Sequence, residues 1–499
     1  MTDAYTNPVL PGFHPDPSVC RVGDDYYLVT STFTYFPGVP IFRSRNLVDW
    51  TQIGNVLDRP SQLDLDDTRG WASMGVWAPT IRHHDGRFWM ITTNQTDHGS
   101  KNFFVTADDP AGPWTDSVPL AVDGCDPELA WDVDGACWLH FSKFGIYRCR
   151  IDDSTGALLD EPEATWSGTG LQYPESPHLY EHDGVWYLMI AEGGTHSGHA
   201  VSIARGPGPA GPWEGCPTNP FLSHRSTNQP IQNTGHADLV EATDGSWWMI
   251  LLGVRPRGLS PAFHVLGRET FLAPVEWIDG WPVVDEVALT VERRPPGPVE
   301  PVSDAARDEF DGPILHPRWL AVRRFPDAIS SLEERPGWLT LHGDDATLDA
   351  PTPAFVGRRQ QHHLCRVRAR LEIGTAREAG LAVLLDDTAH YEIGVVGDQV
   401  VARARIGSLQ VVLGEVERPA ASIDLAVETR PSLFGPDIVV LGFEDVRGDL
   451  QIVAELDGRY LSTEVTGGFL GRVIGMYAVG GTAAFDWFDY EEVTAPITA

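Results

Sequence analysis

Positive charge is scarce in this sequence: 36 lysines and arginines stand against 70 aspartates and glutamates, a formal net charge of −34. A surface of that sign repels nucleic-acid phosphates and anionic lipid, so neither is an expected partner and a neutral substrate fits better. Cysteine is scarce too. The six cysteines (Cys20, Cys125, Cys137, Cys149, Cys216, Cys365) form no CxxC pair and no zinc-ligand spacing, so buried small hydrophobes are expected rather than a disulfide framework or a metal knot. No run of eighteen apolar residues is present, and Met1-Thr2-Asp3-Ala4-Tyr5 opens neither a basic nor an apolar leader. Both point to a soluble, cytoplasmic chain. Helical periodicity is nearly absent, which leaves β-structure, and 499 residues suffice for two or three domains.

What is present is a repeat. An Asp-Gly-type turn followed at once by aromatic and aliphatic residues occurs five times. The copies are Gly23-Asp24-Asp25-Tyr26-Tyr27-Leu28, Asp85-Gly86-Arg87-Phe88-Trp89-Met90, Asp134-Gly135-Ala136-Cys137-Trp138-Leu139, Asp183-Gly184-Val185-Trp186-Tyr187-Leu188 and Asp244-Gly245-Ser246-Trp247-Trp248-Met249. Such a pair between apolar runs supplies the positive φ of a tight hairpin. Five copies at a spacing of roughly 50 to 60 residues predict an all-β, five-bladed propeller. The Gly-Pro-Trp endings at Gly112-Pro113-Trp114 and Gly211-Pro212-Trp213 fit the same repeat. The propeller is expected over residues 1–291, a Pro-rich linker over 292–306, and a β-sandwich over 307–499. In that last part, runs such as Cys365-Arg366-Val367-Arg368-Ala369-Arg370-Leu371 alternate like half-buried strands.

Counting eight residues back from Asp134, Asp183 and Asp244 reaches Asp126, Glu175 and His236; the same step from Asp85 reaches Trp77, and Asp16 stands seven before Gly23. Equivalent positions in successive blades converge on the propeller axis, so three carboxylic acids from three blades are expected in one pocket. Confined acids repel one another and their pKa values separate, which suits acid–base hydrolysis of a glycosidic bond. Each residue also has a plainer reading. Asp16 and Asp126 are ordinary turn formers, whereas Glu175, between Pro174 and Ser176-Pro177, is a poor one. His236 either contacts the substrate or holds water around a central cation such as Ca²⁺ on the axis. Trp77 is blade packing or a platform for a sugar face, Phe33 a wall of the pocket, and Arg268 a surface ion-pair residue or a ligand for sugar hydroxyls.

With these stretches in view, the chain resembles glycoside hydrolase family 43. The resemblance is carried by Asn7-Pro8-Val9-Leu10-Pro11-Gly12-Phe13-His14-Pro15-Asp16-Pro17-Ser18, Phe36-Pro37-Gly38-Val39-Pro40-Ile41, Val76-Trp77-Ala78-Pro79, Asp126-Pro127, Glu175-Ser176-Pro177-His178-Leu179-Tyr180, Thr234-Gly235-His236 and Leu266-Gly267-Arg268-Glu269-Thr270. It implies an inverting mechanism with Asp16 as general base, Glu175 as general acid and Asp126 tuning and orienting the acid. It places Phe33, Trp77, His236 and Arg268 along the substrate pocket. The rest resembles the concanavalin-like β-sandwich fused to β-xylosidase-like members, which implies Phe469 at the pocket rim. Ser176 stands where Gly or Ala more usually follows the acid. The expected activity is exo-β-D-xylosidase on short xylo-oligosaccharides, with α-L-arabinofuranosidase or a bifunctional enzyme next, and a non-catalytic carbohydrate-binding propeller as the reading from another class. No cofactor is required, a structural Ca²⁺ on the axis is left open, and a homo-oligomer is the one macromolecular partner left open.

Overall fold

The computed structural model describes residues 4–300 and 306–493. Over these the chain divides into two compact units: Met1–Phe33, Gly38–Arg255 and Arg268–Val302 form the first, and Thr34–Pro37, Pro256–Gly267 and Ser303–Ala499 the second. The division is not a single cut, because Tyr35–Phe36 pairs with Leu320–Val322 in the second unit. Part of the expected linker, residues 301–305, lies outside the described residues.

The first unit is a five-bladed propeller. Four blades are four-stranded sheets and one has five strands. The innermost strands are Ser18–Val22, Thr80–His84, Cys125–Trp131, Glu175–His182 and Gln232–Glu241. Each touches the next and the last touches the first, so they close a cycle. The hydrophobic clusters lie between blades rather than within them. One joins Trp89 and Phe104 of the second blade to Leu139 and Phe141 of the third; another joins Tyr26 and Leu28 of the first to Trp248 and Leu272 of the fifth. A blade therefore buries both faces only when both neighbours are present, which is why the sequence repeats.

The start of the chain completes the ring: Tyr5–Thr6 pairs with Thr290–Val291, and the Asn7 amide donates to the carbonyls of Leu272 and Ala288. The expected hairpins form with two lengths. Asp85-Gly86 and Asp183-Gly184 are two-residue turns with both residues at positive φ, whereas five residues separate Trp131 from Cys137 and Glu241 from Trp247. All six cysteines are free, and five are buried.

The second unit is built from two eight-stranded sheets, as the alternating runs predicted. In the strand Cys365–Ile373 the apolar residues at alternate positions are buried and the arginines between them partly exposed.

Candidate active site

Three of the five inner strands carry the same irregularity. Cys125 pairs with Ser142 and Glu128 with His140, leaving Asp126-Pro127 as an extra-residue bulge; Ser176-Pro177 and His236-Ala237 do the same in the next two blades. Asp126, Ser176 and His236 all sit at φ near +50°, as does Asp16, two residues ahead of the first pair of its own blade. A bulge re-aims side chains out of the sheet plane, and here it turns them towards the axis. The pairing also corrects the count made from sequence. The equivalent of Asp126 and His236 is Ser176, and Glu175 lies one position earlier. The count slips because the turn after the fourth inner strand is shorter.

The three acids nevertheless act on one another. Asp16 is 4 % exposed and Asp126 7 %, while Glu175 is half-buried. Burial favours the neutral form of Asp16, but the Arg268 guanidinium, His236 and a bond from Ser31 outweigh it and hold its pKa below the usual carboxylate range. Arg268 Nη1 donates to Asp16 Oδ1 at 2.9 Å, Ser31 Oγ to Oδ2 at 2.5 Å, and His236 Nδ1 lies 3.5 Å from Oδ1. Glu175 is displaced the other way. Burial comes first, then repulsion by Asp126 and Asp16, and together they raise it well above an ordinary glutamate. Asp126 is pushed up to about 7 by burial and by Asp16, against the pull of the Ser176 amide, His178 and Arg268. Burial drives the His236 ring down to about 3, so it is neutral at working pH.

The remaining first-unit residues frame Asp16. Arg268 lies over the Phe33 ring at 5.6 Å, and Phe33 stacks on Phe13 at 5.9 Å. Phe33 bridges Val76, the neighbour of Trp77, whose indole donates to the Ser73 carbonyl at 2.9 Å. The chain is fixed on both sides of Arg268. His14 N donates to the Arg268 carbonyl, and Glu269 accepts a two-pronged bond from Arg255 and another from Gly12 N. Phe469 belongs to the second unit, half-buried between the helix Thr463–Thr466 and the strand Val473–Val479.

Sequence reasoning missed several groups. Thr195 Oγ1 accepts from Arg268 Nη1 at 3.0 Å. The His199 ring packs so closely on residue 235 that a Cβ there would fall 2.3 Å from it, which is why Gly235 precedes His236. The signal for both was the run Gly193-Gly194-Thr195-His196-Ser197-Gly198-His199. Two residues beyond the bulge position, every blade places a buried polar side chain: Ser18, Thr80, Glu128, His178 and Asp238. Arg82 sits among them, donating to Glu128 and Asp238, each at 2.9 Å or less. Ca²⁺ takes six to eight oxygen ligands. Here a guanidinium stands between the hub acids, and among the described residues no group of three or more His, Cys, Asp or Glu side chains is arranged to hold a metal ion.

A propeller whose axis gathers one carboxyl held below and two held above the ordinary carboxylate range, walled by Phe33 and Arg268, is the site of a glycoside hydrolase. Residues 5–282 match the model of glycosyl hydrolases family 43, and residues 307–491 match that of the beta xylosidase C-terminal concanavalin A-like domain. The chain belongs to glycoside hydrolase family 43. It is 38% identical to a non-reducing end alpha-L-arabinofuranosidase of Bacteroides ovatus, over 97% of this chain and 94% of that protein. It is 36% identical to a xylosidase/arabinosidase of Butyrivibrio fibrisolvens, over 98% of each. The crystal structure of a xylan beta-1,4-xylosidase from Bacillus halodurans matches with a TM-score of 0.89 at 33% identity, covering 98% of this chain and 100% of that one.

Proposed function

We propose that the chain is an inverting exo-β-D-xylosidase that releases xylose from the ends of short β-1,4-xylo-oligosaccharides. The observation that carries this is the opposite displacement of two acids in one pocket. Asp16 is kept ionised by Arg268 and the Ser31 hydroxyl, while Glu175 is kept protonated by burial and by Asp126. Asp16 takes a proton from water as that water attacks the anomeric carbon. The glycosidic C–O bond breaks, and Glu175 passes its proton to the leaving oxygen. Asp126 orients Glu175 and keeps its proton in place. Phe33 and Trp77 offer apolar surface to the sugar ring, and Arg268 and His236 offer polar groups to its hydroxyls.

Proton NMR of xylobiose hydrolysis tests the mechanism: the first-formed sugar is α-xylose under inversion, and β-xylose as the initial product rejects it. The Bacteroides ovatus relative supports α-L-arabinofuranosidase as a second reading. Rates on the two 4-nitrophenyl glycosides separate the two, and faster arabinoside turnover reverses the order. A non-catalytic sugar-binding propeller predicts no turnover of either.

A further inference from the structure

Beneath the three acids, a set of side chains not assigned above leads from the axis to Asp126. Arg82 donates to Glu128 and to Asp238, and its Nη2 lies 3.1 Å from His178 Nδ1. Glu128 is wholly buried, and its Oε2 lies 2.8 Å from His178 Nδ1. An arginine has no lone pair to offer and a carboxylate no proton. The tautomer that serves the shorter contact is therefore Nδ1–H donating to Glu128. That leaves His178 Nε2 as acceptor for Ser176 Oγ, 3.3 Å away. Ser176 in turn donates its backbone N–H to Asp126 Oδ2 at 3.2 Å. Ser176 is at φ +55°, so the hydroxyl bond to His178 also fixes the strained turn that aims this N–H.

We infer that Arg82, Glu128, His178 and Ser176 form a positioning relay that holds Asp126 aimed beside Glu175. The inference rests on the hydrolase reading and deepens it, because it gives Asp126 a support and gives the hub a task. The remaining charged groups facing Asp126 and Glu175 do not aim Asp126. Asp16 repels both, and Arg268 attracts both but donates to Asp16 and Thr195. The Cys125 thiol, held protonated by burial, donates to Asp126 from the adjacent position of the same strand. Through the Ser176 N–H the relay brings Asp126 a donor from the neighbouring blade.

Two variants test it. His178→Gln breaks the relay at its centre. Ser176→Ala removes one hydroxyl and no buried charge, so it remains informative where the first fails to fold. Carboxyl titration followed by infrared difference spectroscopy reads the Asp126–Glu175 pair without relying on turnover. The lower step of the pair is expected to move up by about one pH unit in His178→Gln and by about half a unit in Ser176→Ala, the size of one hydrogen bond or less. The acidic limb of the kcat/KM profile on xylobiose follows it upward, while the basic limb stays. An unmoved lower step in folded Ser176→Ala overturns the relay. Absence of xylobiose hydrolysis by the unmodified chain overturns the hydrolase reading instead, and leaves the infrared result to judge the relay.

Discussion

Two rings of buried polar groups lie two residues apart along the same inner strands, and they are opposite in character. In the hub, Glu128 and Asp238 are fully buried yet satisfied. Arg82 pairs with both, and Asp238 also accepts from Ser18 Oγ, Val19 N and Tyr180 Oη. Against the penalty of burial, Arg82 and His178 hold Asp238 well below the ordinary carboxylate range. In the site ring, Glu175 and Asp126 face each other and Asp16, and are raised. The same residue types in the same strands thus stabilise the propeller at one level and are strained at the next. Chemistry needs the strained ring, and the satisfied ring holds it in place.

Breaking the site ring gives the largest effect. Asp16→Asn and Glu175→Gln each lower kcat on xylobiose by about 10³-fold, measured by reducing-sugar release, with the fold intact by circular dichroism. Breaking the hub instead costs stability. Asp238→Asn leaves Arg82 with one carboxylate and is expected to cost about 3–5 kcal/mol, a fall in Tm of roughly 6 °C or more by calorimetry at pH 7. Because the folded pKa of Asp238 is depressed, its contribution is present above the unfolded value of about 3.9 and is lost as pH falls through the folded one. The Tm gap between this variant and the parent therefore narrows in acid.

A third variant sharpens the comparison. Asp126→Asn removes the neighbour that repels the Glu175 anion. The basic limb of the kcat/KM profile moves to lower pH, by about one unit or more, because the acid now loses its proton earlier. The smallest effect has the opposite sign to the hub. The raised Glu175 disfavours folding above the unfolded glutamate value of about 4.3. Glu175→Gln therefore raises Tm at pH 7 by about 2 °C, and the gain fades towards pH 4. No gain at pH 7 refutes the claim that this carboxyl is held under strain.

The site ring was legible in the sequence and the hub was not, for a physical reason. Asp16, Asp126 and Glu175 stand next to prolines ahead of or at the very start of inner strands, where a carboxylate has no packing role and so draws notice. Glu128, His178 and Asp238 stand inside runs that read as half-buried strand, and an alternating polar residue there looks like a solvent-facing one. Their direction is set by the bulge, which the sequence does not announce. The one-residue slip at Glu175 came from turn length, since His182 and Val185 close a loop three residues shorter than those of the flanking blades. The two-unit division was legible near residue 300. The assignment of Thr34–Pro37 was not, because it depends on pairing with a strand almost 300 residues downstream, nor was that of Pro256–Gly267, where Leu259 N bonds to the Phe434 carbonyl and His264 to Glu464.

The closure of the ring by strands far apart in the chain sets the order in which the molecule is made. Asp16 leaves the ribosome 252 positions ahead of its partner Arg268. At about 5–20 residues per second, the nascent Asp16 carboxylate waits roughly 10 to 50 s for its counter-ion, and Tyr5 waits slightly longer for Val291. Hydrolytic competence is consequently acquired late in synthesis, after every blade has emerged, and incomplete chains carry the acids without the activity.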